Sequence, residues 1–345
     1  MNEDLPILAE IRRGSIIESW HRGGIVALEP DGRVVASLGD PGLVTSTRSA
    51  IKPIQAIPVI TSGAADHFNF TPREIALACA SHEGEPIHTE TVAAILARIG
   101  LDEAALRCGA HAPYNAEAAA QLQREGRPFT QLHNNCSGKH AGMLATAVHR
   151  RVSIGDYVSP DHPVQREIAS TLSRLAGLDH GLPVAVDGCS APTFAVPLTA
   201  LARAFARLVS PWSEPAMDGS EAEAAKRIVA AMQSHPEMVG GTKGRFDTDL
   251  LRAAKGKLIC KIGAEAVYAI GVLPCARFPR GLGIALKIED GAYRGLGVVV
   301  VETLAQLGVL DESQQRELEQ YHRPKVANWQ GLMVGEVGAV FNLQQ

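Results

Sequence analysis

Residues 16–40, IIESWHRGGIVALEPDGRVVASLGD, carry the reading on which the fold turns. Two runs of extended-chain formers flank Pro30-Asp31-Gly32, and a turn of that type between such runs predicts a β-hairpin. Comparable signals return near the other end of the chain. LICKIGAEAVYAIGVL (258–273) reads as strand, and GLGIALKIED followed by GAYRGLGVVVV (281–301) reads as a meander around a Glu-Asp-Gly turn. The stretch between the two ends is helical in pattern. Thr71-Pro72-Arg73-Glu74 combines an N-cap, a first-turn proline and a capping-box glutamate, which predicts a helix start. Further helices are expected near 46–62 (interrupted by Pro53 and Pro58), 115–125, 138–150, 163–176, 197–209, 219–233 and 311–322, with a short strand after the last. The fold class is therefore α+β: one antiparallel sheet built from both chain ends, flanked by a helix-rich middle. Regular βα alternation is missing, which argues against a doubly wound sheet. A single catalytic domain over 1–345 is expected, with a helical lobe at about 115–235.

Composition narrows the function classes. The 345 residues carry a net charge of −4 and no basic block, so no nucleic-acid partner is expected. The most apolar run, LGVVVVETLAQLGVL (296–310), is broken by Glu302 and Gln306, and no membrane association is expected. The opening MNEDLPILAEIRRG lacks a signal pattern, which points to a cytoplasmic protein. The six cysteines form no CxxC, so free thiols are expected.

TSTRSAIKPIQ (45–55) places Ser49 three residues before Lys52, the first lysine of the chain. At that spacing on a helix the side chains share a face, and a lysine there can take the hydroxyl proton and create a nucleophile. Ser-x-x-Lys alone is a weak signal, equally that of a solvated helix start. Ser81-His82-Glu83-Gly84 follows an apolar helix. It reads as a polar loop, or as a second hydroxyl brought to a site with His82 or Glu83 binding a polar substrate. Lys261-Ile262-Gly263 reads as an ordinary edge strand, or as a cation aimed into a cleft beside a close backbone approach.

HNNCSGKHAG (133–142) puts Cys136 at an expected helix start with Lys139 one turn on, where thiolate is favoured. Cys189 sits in the turn-like VDGCSAP (186–192). If the fold joins them, the two sulfurs suit a soft divalent metal, zinc first, with Lys139, His133, His140 or water completing it. Otherwise they are two unrelated loop cysteines. Gly241-Thr242 matches the cleavage point of self-processing amidohydrolases but lacks their surrounding signature.

RSAIKP, CASHEGEP, NNCSGKHAGML, DGCSAP, GGTKGRFDT and KIGAEAVYAIG together resemble the rhizobial-type L-asparaginases, the asparaginase II family, in order along nearly the whole chain. The resemblance implies hydrolysis of L-asparagine to L-aspartate and ammonia through a serine acyl-enzyme with lysine as base. It implies a β-lactamase/glutaminase-like fold and a homodimer. It pairs Ser49 with Lys52 and Ser81 with Lys261, places Asp187 close to metal and substrate, and gives zinc to Cys136, Lys139 and Cys189 with a water. From the residues themselves, Arg48 beside Ser49, His82 and Glu83 are the further groups expected at the substrate. A glutaminase, a β-lactam-interacting Ser-x-x-Lys hydrolase and a non-catalytic zinc-binding protein are the alternatives.

Overall fold

Both strand-rich ends of the chain meet in one sheet. The computed structural model describes residues 5–179, 181–212 and 217–344. Four strands open the chain: β1 (Ile7–Arg13), β2 (Ile16–Leu28), β3 (Val34–Leu38) and β4 (Val44–Ser46). Two short ones, β5 (Val184–Val186) and β6 (Pro192–Pro197), lie mid-chain. Five close it: β7 (Leu258–Gly263), β8 (Val267–Val272), β9 (Leu282–Ile288), β10 (Lys325–Ala327) and β11 (Met333–Ala339).

The large sheet has the order β10-β11-β1-β2-β9-β8-β7, with β3 also paired to β2. Its pairings are antiparallel, as expected for strands drawn from the two ends. β2 is the hub. Ile25 faces Leu38 on β3 and Leu286 on β9, and the second half of β2 is buried. The predicted hairpin forms between β2 and β3. Gly32 takes φ +98°, a conformation open to glycine, so the amide of Gly32 reaches the carbonyl of Glu29.

One expected strand is a helix. GLGVVVV does not pair with β9; Leu296–Gln306 is helical and nearly all apolar side chains in it are buried. A short apolar run shows no face, so periodicity does not separate a buried helix from a buried strand. The polar continuation ETLAQ, which has helix-length reach, decides it.

The chain divides into two compact units. One comprises the stretch up to Ala50, Val196–Ser210 and everything from Asp249 on; it holds the large sheet. Helix Leu198–Val209 packs on that sheet at two glycines. A Cβ on Gly283 would stand 1.8 Å from the Ala202 carbonyl oxygen, and one on Gly271 would stand 3.0 Å from that of Phe205. The other unit, Ile51–Ala195 with Pro211–Thr248, is mostly helical. It is larger than the 115–235 stretch expected for it, because the helices of 52–98 share its core. Helix Ser137–His149 runs through that core with eleven consecutive residues, Ser137 to Ala147, buried. Helix Pro72–Ala78 starts with the predicted box: Thr71 accepts from the Glu74 amide, and Glu74 Oε2 accepts from the Thr71 amide at 2.8 Å.

Candidate active site

In the helical unit, Lys52 opens helix Lys52–Gln55 and is buried. Its Nζ stands 2.5 Å from the Ala80 carbonyl, 3.0 Å from Ser81 Oγ and 3.4 Å from the Asn135 carbonyl. Two of these partners are carbonyls and only accept, so each takes an N–H. The third is a hydroxyl, which can also donate. The amine nitrogen is thus held between two carbonyls and one hydroxyl. The lysine at hydrogen-bond distance from Ser81 is thus Lys52, which the resemblance assigns to Ser49.

Ser81 follows helix Pro72–Ala78, and its loop is held by a second segment, 239–245. The Ser81 amide donates to the Val239 carbonyl at 3.0 Å, and the Glu83 amide to that of Gly240 at 2.9 Å. Arg245 donates to the Ser81 carbonyl at 3.1 Å and pairs with Glu83 at 3.2 Å. Thr242 places both its amide (2.9 Å) and its hydroxyl (2.6 Å) on the Glu85 carboxylate. That use of Thr242 is structural and gives no support to a self-cleaving threonine. Burial raises the Glu83 carboxyl above its ordinary value, with Arg245 opposing and Glu85 assisting.

His82, expected at the substrate, lies inside this loop and not on its surface. It is fully buried, and its Nδ1 accepts from the Gly84 amide at 3.1 Å. Its Nε2 lies 2.9 Å from Ser137 Oγ, which itself donates to the Leu132 carbonyl. Nε2 is therefore the protonated nitrogen. Burial, together with His88 stacked at 4.9 Å and Lys52 nearby, keeps the ring neutral. His82 holds the loop; it has no free nitrogen for a ligand.

The two polar-context cysteines come together. Cys136 caps helix Ser137–His149 and Lys139 lies in its first turn. Asn134 braces this start, accepting from the Cys136 amide at 2.8 Å and donating to the Cys108 and Gly109 carbonyls. Cys189 arrives from the turn between antiparallel β5 and β6, where Ser190 takes φ +69°. Lys139 Nζ is 3.1 Å from Cys189 Sγ, and the Cys136 thiol donates to Asn135 Oδ1 at 3.4 Å. The neighbouring Cys189 sulfur and burial push the Cys136 thiol up, while Cys136 draws Cys189 down against burial, with Lys139 and His140 assisting. Burial would lower Lys139, but Cys189, Cys136 and then Asp187 outweigh it and raise it. His140 Nδ1 bonds the Tyr157 hydroxyl at 2.6 Å, while its Nε2 is buried without a hydrogen-bond partner.

Among the described residues no three His, Cys, Asp or Glu side chains are arranged to hold a metal. The expected set contains only two of those types plus a lysine. Two sulfurs, one biased to thiolate, are donor types that suit a soft divalent ion, and Lys139 beside them would have to give up a proton to join them.

In the sheet unit, Ser49 belongs to the 3-10 turn Arg48–Ile51 and is partly exposed. Arg48 has φ +45°, a left-handed conformation unfavourable for a side chain of that size and characteristic of functional turns. Lys261 on β7 is buried, with Nζ 2.9 Å from the Ile262 carbonyl. A Cβ on Gly263 would stand 3.0 Å from the Thr47 carbonyl oxygen and 3.2 Å from the Ala50 amide. The end of β7 therefore lies directly against the turn that carries Ser49.

The model of the L-asparaginase II family matches residues 9–339. The chain belongs to the L-asparaginase II family. As a member it is an amidohydrolase that converts L-asparagine to L-aspartate and ammonia. No curated protein matches the chain. Solved structures resemble it at low identity. One is a Bacillus subtilis glutaminase in covalent complex with 5-oxo-L-norleucine: 15% identical, TM-score 0.40, covering 84% of this chain and 89% of that one. Another is Mglu in its glutamate form: 15% identical, TM-score 0.47, covering 84% of this chain and 62% of that one. At such identities the likeness says nothing of substrate. Arg245 and Asn134 were not singled out by sequence; the one visible signal was the Gly240-Gly241 pair, and a Cβ on Gly241 would stand 2.4 Å from Glu83 Cγ.

Proposed function

We propose that this L-asparaginase works through a serine acyl-enzyme whose catalytic set is Ser49, Lys52, Ser81 and Lys261. The Lys52 amine takes the Ser49 hydroxyl proton as Ser49 Oγ attacks the side-chain amide carbon of L-asparagine. The tetrahedral adduct collapses with cleavage of the C–N bond. Ser81, bonded to Lys52, passes that proton to the leaving nitrogen, which departs as ammonia. Water then gives a proton to the same amine as its oxygen attacks the β-aspartyl ester; the bond from the acyl carbon to Ser49 Oγ breaks, the amine returns the proton to Ser49 Oγ, and L-aspartate leaves. Lys261 is the second lysine of the set. The carrying observation is the 3.0 Å contact between Lys52 and Ser81, with two carbonyls fixing the amine.

Cys136, Cys189 and Lys139 would hold zinc, with His140 Nε2 or a water as the fourth donor. When bound, such an ion supplies a fixed positive charge for orienting the polar end of the substrate. Arg48, Glu83 and Asp187 are the groups proposed for that polar end. Asp187 is partly exposed and its charge acts on Lys139.

The working form is proposed to be a cytoplasmic homodimer. All six cysteines are free thiols, as a reducing compartment would keep them. Trp20 on β2, Met333 on β11 and Trp329 in the turn before β11 are exposed apolar groups that a second copy would cover, with β1 lying between the two strands. Among the described residues no helix is long and apolar enough to cross a membrane.

Ammonia release from L-asparagine by wild type and Ser49→Ala, with intact-mass detection of a trapped β-aspartyl adduct, tests the mechanism. Full turnover by Ser49→Ala, or an adduct on another residue, would reassign the nucleophile.

A further inference from the structure

We propose that Arg245 is a positioning residue for Ser81, tying the Ser81 carbonyl to the Glu83 carboxylate and so setting the direction of the Ser81 hydroxyl. The inference rests on the reading that Ser81 takes part in catalysis.

Three groups fix Ser81. Its amide is held by the Val239 carbonyl at 3.0 Å, its carbonyl by Arg245 at 3.1 Å, and its hydroxyl by Lys52 at 3.0 Å. Two of these three ties come from the segment 239–245, more than 150 residues away in sequence, so the segment acts as an external brace on the loop. The brace is itself anchored. Thr242 is clamped on Glu85, the Gly241 amide donates to Thr248 Oγ1 at 3.2 Å, and a side chain at Gly240 would meet Thr248 Oγ1 at 2.7 Å. Arg245 is therefore presented from a fixed platform.

A guanidinium suits this place for a geometric reason. Two of its nitrogens serve two acceptors at once: Nη1 faces Glu83 and Nη2 faces the Ser81 carbonyl. A carbonyl oxygen alone could be satisfied by any donor, including water. Joining it to a carboxylate two residues further on locks the intervening peptide of His82 from outside. From inside, the His82 ring is bound on both nitrogens. The Ser81–Glu83 backbone is thus tied from both sides, which holds the hydroxyl in line with Lys52. Displacing a reacting group by about 1 Å costs on the order of a hundredfold in rate, so a brace of this kind is read in turnover.

The test is steady-state ammonia release from L-asparagine by the full chain. Arg245→Gln is expected to lower kcat about ten- to a hundredfold with KM held within about threefold and the melting temperature nearly unchanged. Arg245→Lys, which keeps a cation but not the fork, should recover part of that loss. In a Ser81→Ala background, Arg245→Gln should cost the residual rate nothing further, because the group it positions has gone.

A wild-type kcat for Arg245→Gln overturns the proposal. So does a raised KM at unchanged kcat, which would make Arg245 a substrate-binding group, or an undiminished tenfold loss in the Ser81→Ala background. Should Arg245→Gln fail to fold, Arg245→Lys decides: a drop of about threefold or more in kcat at constant KM supports the brace, and no drop ends it. Full activity of Ser81→Ala alone is a separate result, which removes the underlying reading of Ser81 itself.

Discussion

Lys52 Nζ lies 3.0 Å from Ser81 Oγ, although 29 residues of chain separate them. Each of the two is also fixed on its other sides, Lys52 by carbonyls and Ser81 by its own backbone. The contact is between pre-positioned partners, and its removal has a defined consequence. Ser81→Ala is expected to lower kcat by about 100- to 10,000-fold, the range for losing a proton-transfer group. The check is ammonia release alongside a circular dichroism spectrum matching wild type. Retained turnover would place Ser81 in a structural role.

Metal removal separates two roles for the cysteine cluster. With zinc orienting the substrate, treatment with a strong chelator should raise KM more than it lowers kcat, and Cys189→Ala should abolish stoichiometric metal by elemental analysis. A collapse of kcat with KM unchanged would refute the orienting role.

Glu74 gives a pH-dependent term with a definite sign. Burial would raise its carboxyl, but hydrogen bonds from Arg98 and from Thr71 in the capping box win, and its value falls below the ordinary 4.5. A depressed folded-state value adds stability above about 4.5, where the unfolded chain would also be ionised, and that stability drains away as pH falls through the folded value. Wild type should thus lose urea resistance between about pH 5 and pH 3 more steeply than Glu74→Gln. Parallel curves for the two proteins would deny Glu74 this role.

The sheet unit offers a packing test away from any reacting group. Gly283→Ala would drive a methyl to within 1.8 Å of the Ala202 carbonyl, so helix Leu198–Val209 has to move off the sheet. Overpacking of this kind costs about 1–3 kcal/mol or more, several degrees in melting temperature for a chain of this size. Gly219→Ala meets nothing within 4 Å and serves as the control, with no loss expected. Equal melting temperatures for the two variants would mean that the helix does not sit tightly at Gly283.

Much of the fold is legible because its signals are local. The Pro-Asp-Gly turn after β2, the Thr71 capping box and the helices 116–124, 137–149, 163–176, 198–209 and 219–234 all follow from period, caps and punctuation within a few residues. The valine run at 298–301 is illegible for the complementary reason: a segment buried all round shows no face, and only its packing partner selects helix or strand.

The boxes of the site are legible too, since Ser-x-x-Lys, the Asn-Asn-Cys helix start and the Asp-Gly-Cys turn each sit in one short stretch. What sequence by itself determined was therefore the inventory: α+β elements, the family, and the side chains available for chemistry. Tertiary structure alone decided who meets whom. It set Lys52 against Ser81, turned His82 inward, joined Lys139 to Cys189 across 50 residues and brought Arg245 onto the Ser81 loop across 164. The physical reason is range: caps and turns are satisfied by neighbouring backbone groups. A buried amine, thiol or carbonyl finds its partner only after the core has closed and excluded water.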